Sequence, residues 1–250
     1  MLTLAISCLS SCQENENLEI ETSQDSSMEN LYKSMSNAPT YSVNPFNRPT
    51  ILSRSEGLYN GAIPVFSPAT LDSLANMSVV ELQKIMTTYT DALEAAGLSS
   101  MIDDCELENT EKIYTTLGDR TKYDELLEFM NIYLISREGF STIRQLMPKT
   151  LNEAQSKIYL AMAVYIDKIG RPIIDHLYPT SIYTRANETY CKWEAAAKLS
   201  VLGVNIGVDA FLDVVTAGGA AAFTDLELDI TMVGGMEIFY SYEACCGRIH

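Results

Sequence analysis

The sequence predicts an all-α fold: an irregular helical bundle of six or seven helices with a long C-terminal helical hairpin. Three observations point there. Apolar residues recur at helical spacing in several separate runs. Capping signals stand at the start of those runs. No run alternates apolar and polar residues with the period of a half-buried strand.

The elements follow in order. Ser67-Pro68 reads as an N-cap with proline at the first helical position. Ser78 to Glu81 is a capping box, and Leu82, Ile85, Met86, Tyr89, Leu93 and Ala96 then line one face. Gly97 ends that helix. A short helix over 106–117 stops at Gly118, and Asp119 or Thr121 starts the next. Its stripe is Tyr123, Leu126, Leu127, Met130, Tyr133, Leu134 and Phe140, limited by Pro148. Thr150 to Glu153 reads as a second capping box, with Ala154, Ile158, Ala161, Tyr165, Ile166 and Ile169 behind it and Gly170 as the stop. After Pro172 and Pro179 comes the longest run, 181–217, which Gly218-Gly219 interrupts. Thr224 to Glu227, another capping box, leads the last helix towards Cys245. No fixed-period repeat is present, which argues against a solenoid.

The N-terminal part reads differently. Residues 1–11, MLTLAISCLSS, carry no charge and end in small residues before Cys12. Gln13 to Asn30 holds six acids, no base, and mostly Asn, Gln and Ser otherwise. Such a stretch buries too little apolar surface to offset its ordering entropy. Pro39, Pro45, Pro49 and Pro64, with Gly57 and Gly61, interrupt the residues beyond it. The expected organisation is a signal segment over 1–11, an acidic tether over 12–66, and a single α-helical domain over 67–250. Some apolar residues of the tether (Phe46, Ile51, Leu52, Tyr59, Phe66) are candidates to dock on that domain.

Leu9-Ser10-Ser11-Cys12 resembles the lipobox of bacterial lipoproteins, which signal peptidase II cleaves before the cysteine. The resemblance implies a diacylglyceryl thioether on Cys12 and an acylated amine. The segment before it is shorter than a usual signal of ~15–30 residues and lacks a basic start, as a truncated signal would. Gln13 is not the aspartate that retains lipoproteins at the inner membrane, so the resemblance implies the outer membrane. The acids after Cys12 resemble a surface-export signal.

Composition sets limits on chemistry. With 17 basic and 33 acidic residues the net charge is −16, which argues against nucleic acid and against an anionic membrane surface. The two histidines, His176 and His250, have no histidine at ligand spacing. No GxGxxG, P-loop or GxSxG motif is present. No cofactor and no metal site is expected. Asp103-Asp104 is expected in an inter-helix loop. Asp225, Glu227 and Asp229 read as acids complementing a helix dipole, because a calcium loop would need a central glycine and a distal glutamate.

Six cysteines remain to be placed. Cys8 leaves with the signal and Cys12 takes the lipid. Cys105, Cys191, Cys245 and Cys246 are then even in number in an oxidising compartment. If 181–217 and 225–245 form an antiparallel hairpin, helical rise places Cys191 about 39 Å and Cys245 about 30 Å from its turn. Cys191 is expected to pair with Cys245 or Cys246, with Cys105 taking the other.

The hairpin, Lys198 to Phe223, is the most apolar part of the chain and contains the GxxxG pattern of Gly203 and Gly207. Asn205, Asp209 and Asp213 interrupt it, so it reads as a buried helix with one wet edge. Tyr183, Tyr190 and Trp193 gather on the long helix as a candidate sugar- or peptide-binding face.

The expected function is a lipid-anchored cell-envelope protein of the outer membrane with a non-enzymatic binding or structural role. Its expected partners are the membrane, through the anchor, and a protein or glycan. Two alternatives stay open: a membrane-active, toxin-like protein using 198–223, and a hydrolase built on an Asp/Glu pair.

Overall fold

The computed structural model describes residues 25–46, 62–177, 186–206 and 225–246. Residues 25–36 form the first helix, α1. Met28, Leu31, Tyr32 and Met35 fall at helical spacing and pack on the core, with Met35 fully buried. The tether expectation is therefore corrected over residues 25–46 and 62–66. Counting acids hid an amphipathic stripe. The acids of this helix flank the stripe and are paired, Glu29 with Lys33 and Asp25 with Arg144. Strands β1 (Thr40–Val43) and β2 (Ile63–Phe66) pair in parallel, Thr40 opposite Ile63 and Val43 opposite Phe66. Four residues are too few for an alternating pattern to stand out, and Pro64 in β2 masks it further. Phe66 is buried and Phe46 packs against the core.

Seven helices follow: α2 (Pro68–Ala75), α3 (Val79–Ala95), α4 (Ser99–Leu117), α5 (Arg120–Ile135), α6 (Phe140–Leu146), α7 (Glu153–Tyr165) and α8 (Arg171–Leu177). Then come α9 (Ala186–Ile206) and α10 (Asp225–Cys246). The fold is all-α apart from the small sheet, with more helices among the described residues than the six or seven expected. Gly139, at φ 114°, splits the run that contains Phe140, so α6 is separate from α5. Nor does Gly170 stop α7. A π-turn over Ile166–Gly170, with the Arg171 N–H bonded to Ile166 O, carries the chain into α8. Pro172 has no N–H for the carbonyl four residues back, and the wider turn relieves that clash.

The capping signals are mostly where the sequence puts them. Ser67 Oγ accepts from Thr70 N at 3.1 Å. Ser78 and Glu81 form a reciprocal box. Asp119, not Thr121, caps α5. The box before α7 is Asn152 and Gln155, two residues later than Thr150 and Glu153. Helix α4 starts at Ser99 with no side-chain cap, so no signal marks its early start, and Asp103-Asp104 lie on it rather than in a loop.

Helix α7 is the centre. Every residue from Ile158 to Ile166 is buried, as expected of a helix covered on all sides. Neighbouring helix ends are closed by side chains from far along the chain. Gln155 Nε2 donates to Leu117 O at 2.9 Å, and Arg171 donates to Tyr133 O, Leu134 O and Ser136 O at 2.6–2.9 Å. These bonds satisfy C-terminal carbonyls that a helix leaves open.

Helices α9 and α10 run antiparallel. Cys191 meets Cys245 near one end, Lys198 reaches Ser241 in the middle, and a Cβ on Gly234 would strike Leu202 further along. The connection over 207–224 lies outside the described residues, together with Gly207, Asp209 and Asp213. Gly203 is a contact point of the core: a Cβ there would lie 2.6 Å from the Tyr165 ring and 2.8 Å from Met130 Cε.

Candidate functional site

Three places gather polar or aromatic side chains. The first is the π-turn. Asp167 Oδ2 accepts from Tyr32 Oη at 2.8 Å and Tyr133 Oη at 2.9 Å, and Asp167 Oδ1 accepts from Arg171 Nε at 2.9 Å. The Arg171 guanidinium also lies 4.7 Å from the Tyr133 ring centroid. Tyr133 Oη accepts from Gly139 N at 3.0 Å. Burial, and then the charge of Asp167, push the Tyr133 phenol far above its ordinary range. Each of these groups is engaged, so the cluster serves to join α1, α5 and α8.

The second place is where α4 meets α9 and α10. Asn109 Nδ2 donates to Asn205 O at 2.9 Å and approaches Cys105 Sγ at 3.6 Å. Glu106 accepts from Asn205. Its carboxyl is pushed up by burial and by the nearby Asp103 and Glu237. Burial and then Glu227 push the Cys105 thiol up as well. On α10, the buried Asp229 accepts from Tyr89 Oη at 2.7 Å. Asp229 was legible only as a helix-start acid; its partner lies 140 residues away.

The cysteine expectation is half corrected. Cys191 and Cys245 form the bridge, with Cα atoms 5.7 Å apart, and Cys105 pairs with neither Cys245 nor Cys246. Geometry forbids it. Cys105 stands beside Glu227, and helical rise carries Cys246 about 28 Å further along α10, whereas a disulfide needs Cα atoms about 4.4–6.8 Å apart.

The third place is the outer face of α9. Tyr190, Trp193, Ala197 and Val201 succeed one another at steps of three, four and four residues, so they form one stripe. All four are exposed, Tyr190 at 68% and Trp193 and Val201 at 45%. The opposite face of the same helix, including Cys191, Ala195, Leu199 and Leu202, is buried. Tyr183, grouped with this pair from the sequence, lies outside the described residues, as do Cys12 and His250. Beside the stripe run Glu194 and Lys198, and Lys198 Nζ meets Ser241 Oγ and, at 3.7 Å, Glu237 Oε1. The two aromatics and Val201 thus form one exposed row on an otherwise well-buried helix.

His176 Nε2 sits 3.2 Å from Asp72 Oδ1, a contact between α8 and α2. Among the described residues no group of three His, Cys, Asp or Glu side chains is arranged to hold a metal ion. No described helix is long and apolar enough to cross a membrane. No family model, no curated protein and no solved structure matches this chain.

Proposed function

We propose that this chain is a lipid-anchored cell-envelope protein of the outer membrane, and that its helical domain has a non-enzymatic binding role exercised through the α9 stripe. The observation that carries the binding role is the exposed Tyr190–Val201 stripe on a helix whose other face is locked into the core by the Cys191–Cys245 bridge. The bridge suits an oxidising compartment. Leu9-Ser10-Ser11-Cys12 is the lipid-attachment sequence of this reading. The polar clusters at Asp167 and Asn109 hold helices together, and among the described residues the exposed large aromatics, Tyr190 and Trp193, both stand on the α9 stripe.

The test is metabolic labelling with a clickable fatty acid. The wild-type chain takes up the label and Cys12→Ala does not. Equal labelling of both, or of neither, overturns the anchor.

A further inference from the structure

The stripe on α9 is apolar, but its border is acidic, and that combination specifies a partner. Lys198 bridges to Glu237 and Ser241, so the α10 face that carries these two residues adjoins the α9 edge that carries Glu194 and Lys198. Glu237 is exposed and Glu194 is half-buried. Asn205, one helical turn beyond Val201, holds Glu106 of α4 at the far end of the stripe, and Glu106 stands within electrostatic reach of Asp103 and Glu237. Glu194, Glu237, Glu106 and Asp103 therefore border the aromatic row along one side and at one end. Among the described residues two cations adjoin the row, one on each edge. Lys198 is engaged by Glu237 and Ser241, and Lys192, on the other edge of α9, is half-buried and engaged as well. Four carboxylates against two lysines leave the described part of the border negative. The whole chain is at −16, so its long-range field reinforces the local one.

We propose that the stripe is a docking site for a basic amphipathic helix of a partner protein. This rests on the binding role proposed above and names the partner's chemistry. The partner's apolar side chains would lie along Tyr190, Trp193, Ala197 and Val201, at the spacing one helix offers another. Its lysines and arginines would face Glu194 and Glu237 along the side and Glu106 at the end, which sets orientation and speeds encounter. An acidic helix of the same shape is repelled. A neutral glycan would stack on the rings and donate hydroxyls to the carboxylates, but it would gain nothing from the long-range negative field.

Trp193 is the single tryptophan of the chain, so its emission reports on this face alone. The experiment titrates the full-length protein with a tryptophan-free Leu/Lys amphipathic helix and with its Leu/Glu counterpart. The Leu/Lys helix is expected to shift Trp193 emission to the blue and saturate, and the Leu/Glu helix to do nothing. Val201→Asp, and separately Glu194→Lys with Glu237→Lys, are expected to weaken binding by about tenfold or more. Asp91→Lys with Glu94→Lys on α3, the same charge change elsewhere, is expected to stay within about twofold. Near-ultraviolet circular dichroism checks that each variant keeps its packing. Equal binding of both peptides, or equal weakening by both charge reversals, overturns the proposal, because apolar contact or net charge alone would then suffice. A blue shift with phosphatidylglycerol vesicles and none with the Leu/Lys helix also overturns it, in favour of a lipid surface. Fatty-acid labelling is read independently. A failed titration with intact Cys12 labelling removes the partner and leaves the envelope assignment standing.

Discussion

The Tyr32 hydroxyl donates to Asp167 Oδ2 at 2.8 Å across 135 residues of sequence, which fastens the first described helix to the π-turn at the centre of the domain. Asp167 also holds Tyr133 and Arg171. Removing a donor and removing the shared acceptor should therefore differ sharply. Tyr32→Phe is expected to cost about 1.5 kcal/mol, the low end for a bond to a charged group, because Asp167 is still held by two others. Asp167→Ala is expected to cost about 2–4 kcal/mol, since it strands a mostly buried guanidinium and two phenols. Urea midpoints for the two variants measure this, and equal losses would show that Asp167 is not the hub.

The buried tyrosines make a second contrast. Tyr165 Oη donates to Leu199 O at 2.9 Å, whereas Tyr159 Oη is buried with no protein partner among the described residues. Tyr165→Phe is expected to lose about 1 kcal/mol, and Tyr159→Phe to be neutral or mildly stabilising. Burial raises both phenols above their ordinary 10, Tyr159 to about 12. A raised tyrosine contributes stability that is fully present below pH 10 and is lost as pH rises towards the folded value. Tyrosinate absorbance should rise in two stages on alkaline titration: exposed rings first, then Tyr133, Tyr159 and Tyr165 together as the fold opens.

Thiol accounting tests the cysteine geometry. Alkylation of the unreduced, denatured chain is expected to mark Cys105 and Cys246 and to spare Cys191 and Cys245. Cys245→Ala is expected to destabilise by about 2–4 kcal/mol, because it releases a crosslink spanning 54 residues. Cys246→Ala, which releases no crosslink, should cost less than Cys245→Ala.

Glu106 offers a pH signature. Its carboxyl is raised above the ordinary 4.5 by burial and acidic neighbours, so its charged form costs stability in the fold. That cost is complete above the folded value, fades as pH falls from there towards 4.5, and is gone in more acid solution. Glu106→Gln keeps an acceptor for Asn205 and is expected to raise the melting temperature near neutral pH, with no gain in acid. A gain that persists in acid would contradict the electrostatic cause.

Much of the fold was legible because its signals are local. Ser67, Ser78, Asp119 and the glycines at 97 and 118 stand within a turn of the helix ends they set. What stayed hidden depends on distant partners. Helix α1 is stable because Met35 and Tyr32 dock on residues far along the chain, not because of its composition. The π-turn answers to Pro172 and to the carbonyls of α5 that Arg171 closes. Pairing Cys105 by count failed because distance along a helix, not parity, decides which thiols meet. The candidate site was legible in part: Tyr190 and Trp193 stand out by residue type, but only packing reveals that their side of α9 is the open one and that Val201 and Glu237 belong with it.

Lipid anchoring at Cys12 is tested by fractionation of the native host carrying either the wild-type chain or Cys12→Ala. Wild type is expected in the outer-membrane fraction and the variant in the soluble fraction. Retention of Cys12→Ala in the membrane would contradict this anchoring and would move attention to residues 207–223.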